Sequence, residues 1–268
     1  MIPGVQPIRQ ELDRAAAEGV LVEVWWRDDD AVAPTLALDR LLALSARYEV
    51  PVAIAAIPAG VEESLPARLR LEPRVTVLAH GFAHANHAPF GSKAAEFGDA
   101  RPLPTLIEEA KHALGLHRAA FGAAAFPVFV PPWNRVAPSL IEALPDLGYL
   151  GLSAFGPRAA VRRPPGLAVV NTHLDPIDWR GSRGLVDPAL LAASLARQRR
   201  KSMTGGSGEP IGLLTHHLAS DDMVWTFCEM LLDMLTAHPA VRFPAPADLW
   251  AEPARSEWIA AAPAPAGG

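Results

Sequence analysis

Cysteine is almost absent from this chain. Cys228 is the one cysteine among 268 residues, so no disulfide can form within the chain, and its apolar helical surroundings predict a buried, inert thiol. Apolar runs approaching the roughly 20 residues that a membrane helix needs are missing as well. The first residues lack the basic and apolar regions of a signal peptide. We therefore expect a soluble, cytoplasmic protein that does not bind membranes.

Long basic runs are also missing, and the formal net charge is −5. The short basic stretch 197–201 closes a predicted helix, where cations suit the helix dipole, so we expect no nucleic-acid partner. No linker rich in proline, glycine and serine divides the chain, and half of its residues are hydrophobic. We predict a single catalytic domain over residues 1–258, followed by a disordered Ala/Pro tail over 259–268. The oligomeric state is left open.

What the chain does have is a regular alternation of strand-like and helix-like segments. Apolar β-type runs lie at about 21–26, 51–57, 75–79, 127–131, 149–153, 167–171, 210–215 and 240–243. Helical patterns lie at 35–48, 104–120, 138–147, 188–203 and 222–237, with prolines at or just before several starts. This alternation predicts an α/β protein with a parallel sheet. Seven or eight such units can close into a barrel, and an open sheet is the alternative.

Two polar clusters follow predicted strands. Asp28, Asp29 and Asp30 come after the run 21–26, and three histidines fall within residues 80–87 after the run 75–79. The carboxyl ends of parallel strands share one edge, where sites of such folds lie. His80 and His84, spaced i and i+4 on one predicted helical turn, could bind one divalent ion with Asp30, and zinc is the first expectation. The alternatives are solvated acids that cap a helix and a pair of hydrogen-bonded surface histidines.

Three later segments add polar or aromatic groups near the same edge. Residues 131–135 form a stiff turn that displays Trp133, Asn134 and Arg135. A loop holds Asp178 and Trp179, and the tryptophan could stack on a sugar face. His216 ends a buried strand, where a histidine held by a loop carboxylate is a candidate general acid.

Together, and in this order, the pieces resemble the polysaccharide deacetylase (NodB-homology) family over about residues 20–250. The matching elements are the aspartate pair 29–30, the His-x-x-x-His of 80–84, the Pro-Pro-Trp of 131–133, the Asp-x-x-Asp-Trp of 175–179 and the Leu-x-His of 214–216. The resemblance implies a distorted (β/α)7 barrel. It also implies a metal-dependent hydrolase that removes acetyl groups from N-acetylated sugars.

Carried over by motif, the resemblance implies that Asp30, His80 and His84 bind the metal. Asp29 would be the base that takes a proton from the attacking water, and His216 the acid that protonates the leaving amine. Asp178 and Trp179 would support that acid. The substrate groove would be lined by Trp133, Asn134, Arg135 and Trp179.

The chain departs from the family pattern at two points. A third aspartate precedes the pair, so the base and the ligand could instead be Asp28 and Asp29. Val130 stands where the family has an arginine beside the base, a place that Arg27, Asn134 or Arg135 could fill in space. Without a secretion signal, a small carbohydrate or amide is the more credible substrate. Two alternatives remain: an allantoinase-like hydrolase of cyclic amides, and an inactive barrel that binds carbohydrate.

Overall fold

The computed structural model describes residues 4–158, 164–204 and 209–250. The described strands are β1 (Val22–Ala31), β2 (Val52–Ala56), β3 (Val75–His80), β4 (Ala125–Val130), β5 (Gly151–Leu152), β6 (Ala168–Val169), β7 (Ile211–Thr215) and β8 (Val241–Arg242). Each corresponds to one of the eight predicted apolar runs. All pair in parallel, as the alternation with helices predicted.

The sheet curls into a distorted (β/α)7 barrel, which confirms the predicted fold class. Strands run in the order β6-β5-β4-β3-β2-β1-β7, and β8 adds to the start of β1. The ring closes at one seam, where the chain beyond β6 reaches β7: the N–H groups of His173 and Leu174 both donate to the carbonyl oxygen of Gly212. A side chain at Gly212 would collide with the backbone of Asn171 and Thr172, so this close approach needs glycine.

Seven α-helices surround the described sheet. They are α1 (Gln6–Ala17), α2 (Leu36–Tyr48), α3 (Ser64–Leu69), α4 (Leu103–Phe121), α5 (Pro138–Ala143), α6 (Pro188–Thr204) and α7 (Asp222–Ala237). Five were predicted, although α5 ends four residues before the expected 147. The first and third were not. In α1, the buried residues Ile8, Leu12 and Ala15 follow the helical spacing, and the helix packs on α6.

The core lies on both faces of the sheet. Inside the barrel, small alanines of β2 sit beside Leu78, Val128 and the perpendicular pair Trp25 and Trp250. Cys228 is buried, as predicted, and burial raises the pKa of its thiol to about 12. None of the helices in these ranges has the length and apolar character of a membrane span. The predicted tail 259–268 lies outside the described residues, and the single-domain boundaries stay a prediction.

One strand differs from its prediction in a way that shapes the site. Strand β1 was expected to end at residue 26 but runs to Ala31, so the three aspartates lie within the strand and not in a following loop. The pairing register with β2 shifts between Asp28 and Ala31, and Asp30 has a left-handed φ of 77°. This bulge turns consecutive carboxylates in different directions.

Candidate active site

Each aspartate at the end of β1 has its own partners. The buried carboxylate of Asp28 accepts hydrogen bonds from Thr215 Oγ1 (2.7 Å) and His217 Nδ1 (2.5 Å). Asp29 pairs with Arg27, and Asp30 faces two histidines. Asp30 is therefore the aspartate that meets the predicted histidine pair, whereas Asp28 points away from it.

Asp30, His80 and His84 converge. Each offers a ligand atom, and these atoms lie within 4.8 Å of one another. Oδ1 of Asp30 lies 3.1 Å from Nε2 of His80 and 3.4 Å from Nε2 of His84. His80 is the last residue of β3, but His84 lies in an irregular loop with a φ of 54°, so the predicted helical turn was wrong. The two rings meet because the loop folds back, with centroids 5.2 Å apart.

The donor set fits a divalent cation. Nδ1 of His80 donates to the carbonyl oxygen of Val130 at 3.0 Å, so Nε2 faces Asp30, where it carries either a proton shared with the carboxylate or a lone pair for a metal ion. Two imidazole nitrogens and a carboxylate oxygen this close need a cation or a proton between them. Burial opposes ionisation of Asp30, but its hydrogen bond and charge interaction with His80, together with His216 and His84, hold the pKa well below its usual range.

The loop that carries His84 is held by a residue that no motif indicated. The buried Glu96 carboxylate accepts hydrogen bonds from the backbone N–H groups of Phe82 (3.0 Å), Ala83 (2.8 Å) and Ala85 (3.2 Å). Gly81 starts this loop with a φ of 57°, and a side chain there would collide with Glu96 and Pro132. Glu96 thus fixes the backbone that sets the direction of His84.

Arg27 occupies the space beside Asp29. Its Nε lies 2.8 Å from Oδ1 of Asp29 and its Nη2 lies 3.0 Å from Oδ2, a forked pair that is almost fully buried. Nη2 also donates to Oδ1 of Asn134 (3.1 Å), and Nη1 donates to Oγ of Ser153 (2.7 Å). Of the three candidates named for the arginine absent at Val130, Arg27 is the one in contact with Asp29.

His216 lines the same cavity as the triad. Its ring contacts Trp179 edge to face with centroids 4.7 Å apart, and Trp179 Nε1 donates to Asp175 Oδ2 at 2.7 Å. Burial raises the pKa of Asp175, and the nearby His216 partly offsets this rise. Asp178 has other contacts: its carboxylate accepts from the N–H groups of Gly181 (3.0 Å) and Ser182 (3.2 Å). Asp175 is thus connected to His216 through Trp179, and the supporting role expected of Asp178 stays a prediction.

The groove residues predicted from the Pro-Pro-Trp turn also reach the cavity. Trp133 and Asn134 both have left-handed φ values, 55° and 57°, and the Trp133 ring lies 4.2 Å from that of His84. Arg135 lines the cavity while donating to the carbonyl oxygen of Ala94 at 2.7 Å. The cavity has a volume of about 800 Å³. It is lined by every predicted site residue, together with Phe155, Asp175, Ile177, Arg180, Arg183 and Val186.

Comparison with solved structures identifies the architecture. No family model and no curated protein matches the chain. A CE4 esterase from Streptococcus mutans matches with a TM-score of 0.56 and 10% identity, over 90% of each chain. A family 4 acetyl xylan esterase from Clostridium thermocellum, solved with a cobalt ion, gives 0.51 and 14%, over 85% of this chain and 90% of that one. A peptidoglycan deacetylase from Bacillus subtilis gives 0.52 and 12%, over 85% and 90%. The chain therefore has the fold of the CE4 polysaccharide deacetylases, as its motifs predicted.

Proposed function

We propose that the protein is a metal-dependent hydrolase that removes acetyl, or cleaves another amide, from an N-acylated sugar or small carbohydrate. One observation carries this proposal. A single cavity brings together the triad Asp30, His80 and His84, the arginine-bound carboxylate of Asp29, and His216. These are the groups that amide hydrolysis by an activated water requires.

Asp30, His80 and His84 would hold the metal, with zinc the first expectation for this ligand set. A divalent cation held there would lower the pKa of water and polarise the acyl carbonyl. Asp29 accepts the proton of the attacking water. Arg27 keeps the Asp29 carboxylate in one orientation through the hydrogen bond from Nη2 and the ion-pair contact of Nε, so that the base is in place before the substrate arrives.

His216 delivers a proton to the nitrogen that leaves. An amine is a poor leaving group unless it is protonated as the C–N bond breaks, so an acid is needed across the cavity from the base. Trp179 packs against the His216 ring and is itself fixed by its hydrogen bond to Asp175. We assign Asp175 as the carboxylate that holds Trp179 against the His216 ring, and Asp178 as the group that shapes the adjoining loop.

Several observations support this reading over an inactive barrel that binds carbohydrate. The ground for inactivity was the missing motif arginine, and Arg27 contacts Asp29 from the same strand. The structures with the same fold are described as deacetylases and esterases, one of them with a cobalt ion. No contact in the described structure favours an allantoinase-like substrate. The cytoplasmic location stays a prediction.

Elemental analysis and acetate release test the proposal together. The purified protein should contain about one equivalent of a divalent metal, and it should release acetate from N-acetylated sugars. His80→Ala should lose both the metal and nearly all activity. His87→Ala is the matched control, because His87 is exposed and lies outside the triad, and it should keep both. Full activity in protein stripped of metal, or a His80→Ala variant that keeps its metal, would contradict the proposal.

A further inference from the structure

A short loop after β6 presents two arginines to the cavity, and its backbone is closed on itself. The N–H of Asp178 donates to the carbonyl oxygen of Gly184, and the N–H of Arg183 donates to that of Asp178, each at 2.9 Å. The Asp178 carboxylate fills the interior of the loop, and a side chain at Gly181 would collide with it. The loop therefore holds Arg180 and Arg183 on a fixed frame.

The backbone and the side chain of Arg183 are both constrained. It has a left-handed φ of 60°, a conformation that a residue with a side chain adopts at a cost. Its guanidinium stacks on the Trp179 ring, with Cζ 4.9 Å from the ring centroid. The same ring contacts His216 at its edge. One aromatic ring therefore separates the positive charge of Arg183 from the proposed acid.

Neither Arg180 nor Arg183 forms an ion pair with a carboxylate among the described residues, although both line the cavity. Many of the other described arginines do pair with carboxylates, among them Arg27, Arg40, Arg47, Arg68, Arg74, Arg101, Arg199 and Arg242. The same cavity is lined by the carboxylates of Asp29 and Asp30 beside the two histidines, and by Asp175 and Asp178, which are held by hydrogen bonds to the arginine loop. The two guanidinium groups therefore add positive charge to a cavity that also holds the acidic triad.

We infer that the substrate carries an anionic group, a phosphate or a carboxylate, which Arg180 and Arg183 bind while the acyl group lies at the triad. The inference rests on the proposed function for the acyl end. For the anionic end it rests on the guanidinium groups, which match phosphate and carboxylate oxygens in pairs. A chain of net charge −5 repels anions in general, so an anionic substrate needs such a local cationic site.

Binding of sugars that lack an acyl group tests the anionic site without turnover. Calorimetric titration of the metal-loaded protein with glucose 6-phosphate, glucuronate and glucose should show that at least one anionic sugar binds more tightly than glucose. The double variant Arg180→Gln/Arg183→Gln should weaken that binding by roughly 10- to 100-fold, the range for lost charge-assisted hydrogen bonds. Whichever anion binds more tightly identifies the substrate group as phosphate or carboxylate.

The control variant Arg9→Gln/Arg70→Gln removes the same charge from exposed positions on α1 and directly after α3. It should leave the affinity within about twofold, since distant surface charges are screened. An equal loss in the control would mean that only net charge matters and would overturn the inference. So would equal binding of glucose and both anionic sugars.

Acetate release separates this inference from the proposed function. N-acetylglucosamine 6-phosphate or N-acetylmuramic acid should be cleaved with a lower KM than N-acetylglucosamine, and the double arginine variant should abolish that preference. Equal kcat/KM for all three sugars, unchanged in the variant, would refute the anionic site and leave the proposed function standing. Arginine-dependent binding of an anionic sugar without any acetate release would refute the proposed function and leave the anionic site standing.

Discussion

Breaking the Arg27–Asp29 pair should cost far more than an ordinary surface ion pair. The Arg27 side chain is fully buried, and that of Asp29 nearly so. Removal of one partner leaves an uncompensated charge away from water, which typically costs about 3–5 kcal/mol. Arg27→Met keeps most of the side-chain volume, and Asp29→Ala removes the carboxylate. Each single variant should lower the free energy of unfolding by about that amount.

The double variant Arg27→Met/Asp29→Ala tests whether the loss comes from the pair. Once both charges are gone, neither is left unpaired, so the double variant should be at least about 2 kcal/mol more stable than the sum of the single losses predicts. Urea denaturation with a chelator present measures this without a metal contribution. Strictly additive losses, or single losses below about 1 kcal/mol, would show that the pair does not hold the base in the way proposed.

Three further predictions concern the base, the acid and a buried histidine. Asp29→Asn should keep the metal but reduce turnover by roughly 10²–10⁴-fold, as measured by acetate release and metal content; loss of metal would reassign the ligand. His216→Ala should reduce amide hydrolysis by a similar factor but partly spare hydrolysis of an activated ester, whose leaving group needs no proton. Equal losses on amide and ester would exclude His216 as the acid. His217→Ala should mainly reduce stability, because it removes the hydrogen bond to Asp28. Burial lowers the pKa of His117 to about 4, below its usual 6.5. The free energy of unfolding should therefore fall by about 3 kcal/mol as the pH drops from 6.5 to 4, because the unfolded chain takes up the proton first. The variant His117→Gln should flatten that part of the pH–stability profile, and an unchanged profile would contradict the prediction.

Local patterns predicted most of the architecture. Apolar runs bounded by polar residues placed every strand, because buried parallel strands need apolar side chains on both faces. The triad residues could be found for a related reason, since Asp30 and His80 lie at the carboxyl ends of β1 and β3, the two parallel strands on either side of β2. Helix α1 was not predicted, although the helical spacing of Ile8, Leu12 and Ala15 marks its buried face.

What could not be predicted depends on contacts between distant residues. Glu96 lies in a stretch without periodicity, and only the folded loop brings it to the N–H groups around His84. The sequence could not show which aspartate holds the Trp179 ring against His216, because Asp175 and Asp178 are both in the motif and only the loop geometry distinguishes them. The bulge at Asp30 likewise depends on the register between two strands.

Gly81 limits which sequences can form the loop that carries His84. Its backbone is left-handed, and a methyl group there would meet both the Glu96 carboxylate and the Pro132 ring. An alanine at this position would strain the loop that carries His84 while leaving the barrel core untouched. A saturation library at residue 81 should therefore yield folded proteins that no longer retain metal, and glycine at this position marks a sequence that can still form the loop. In a survey of distant homologues, this one residue would sort competent barrels from barrels that keep only the scaffold.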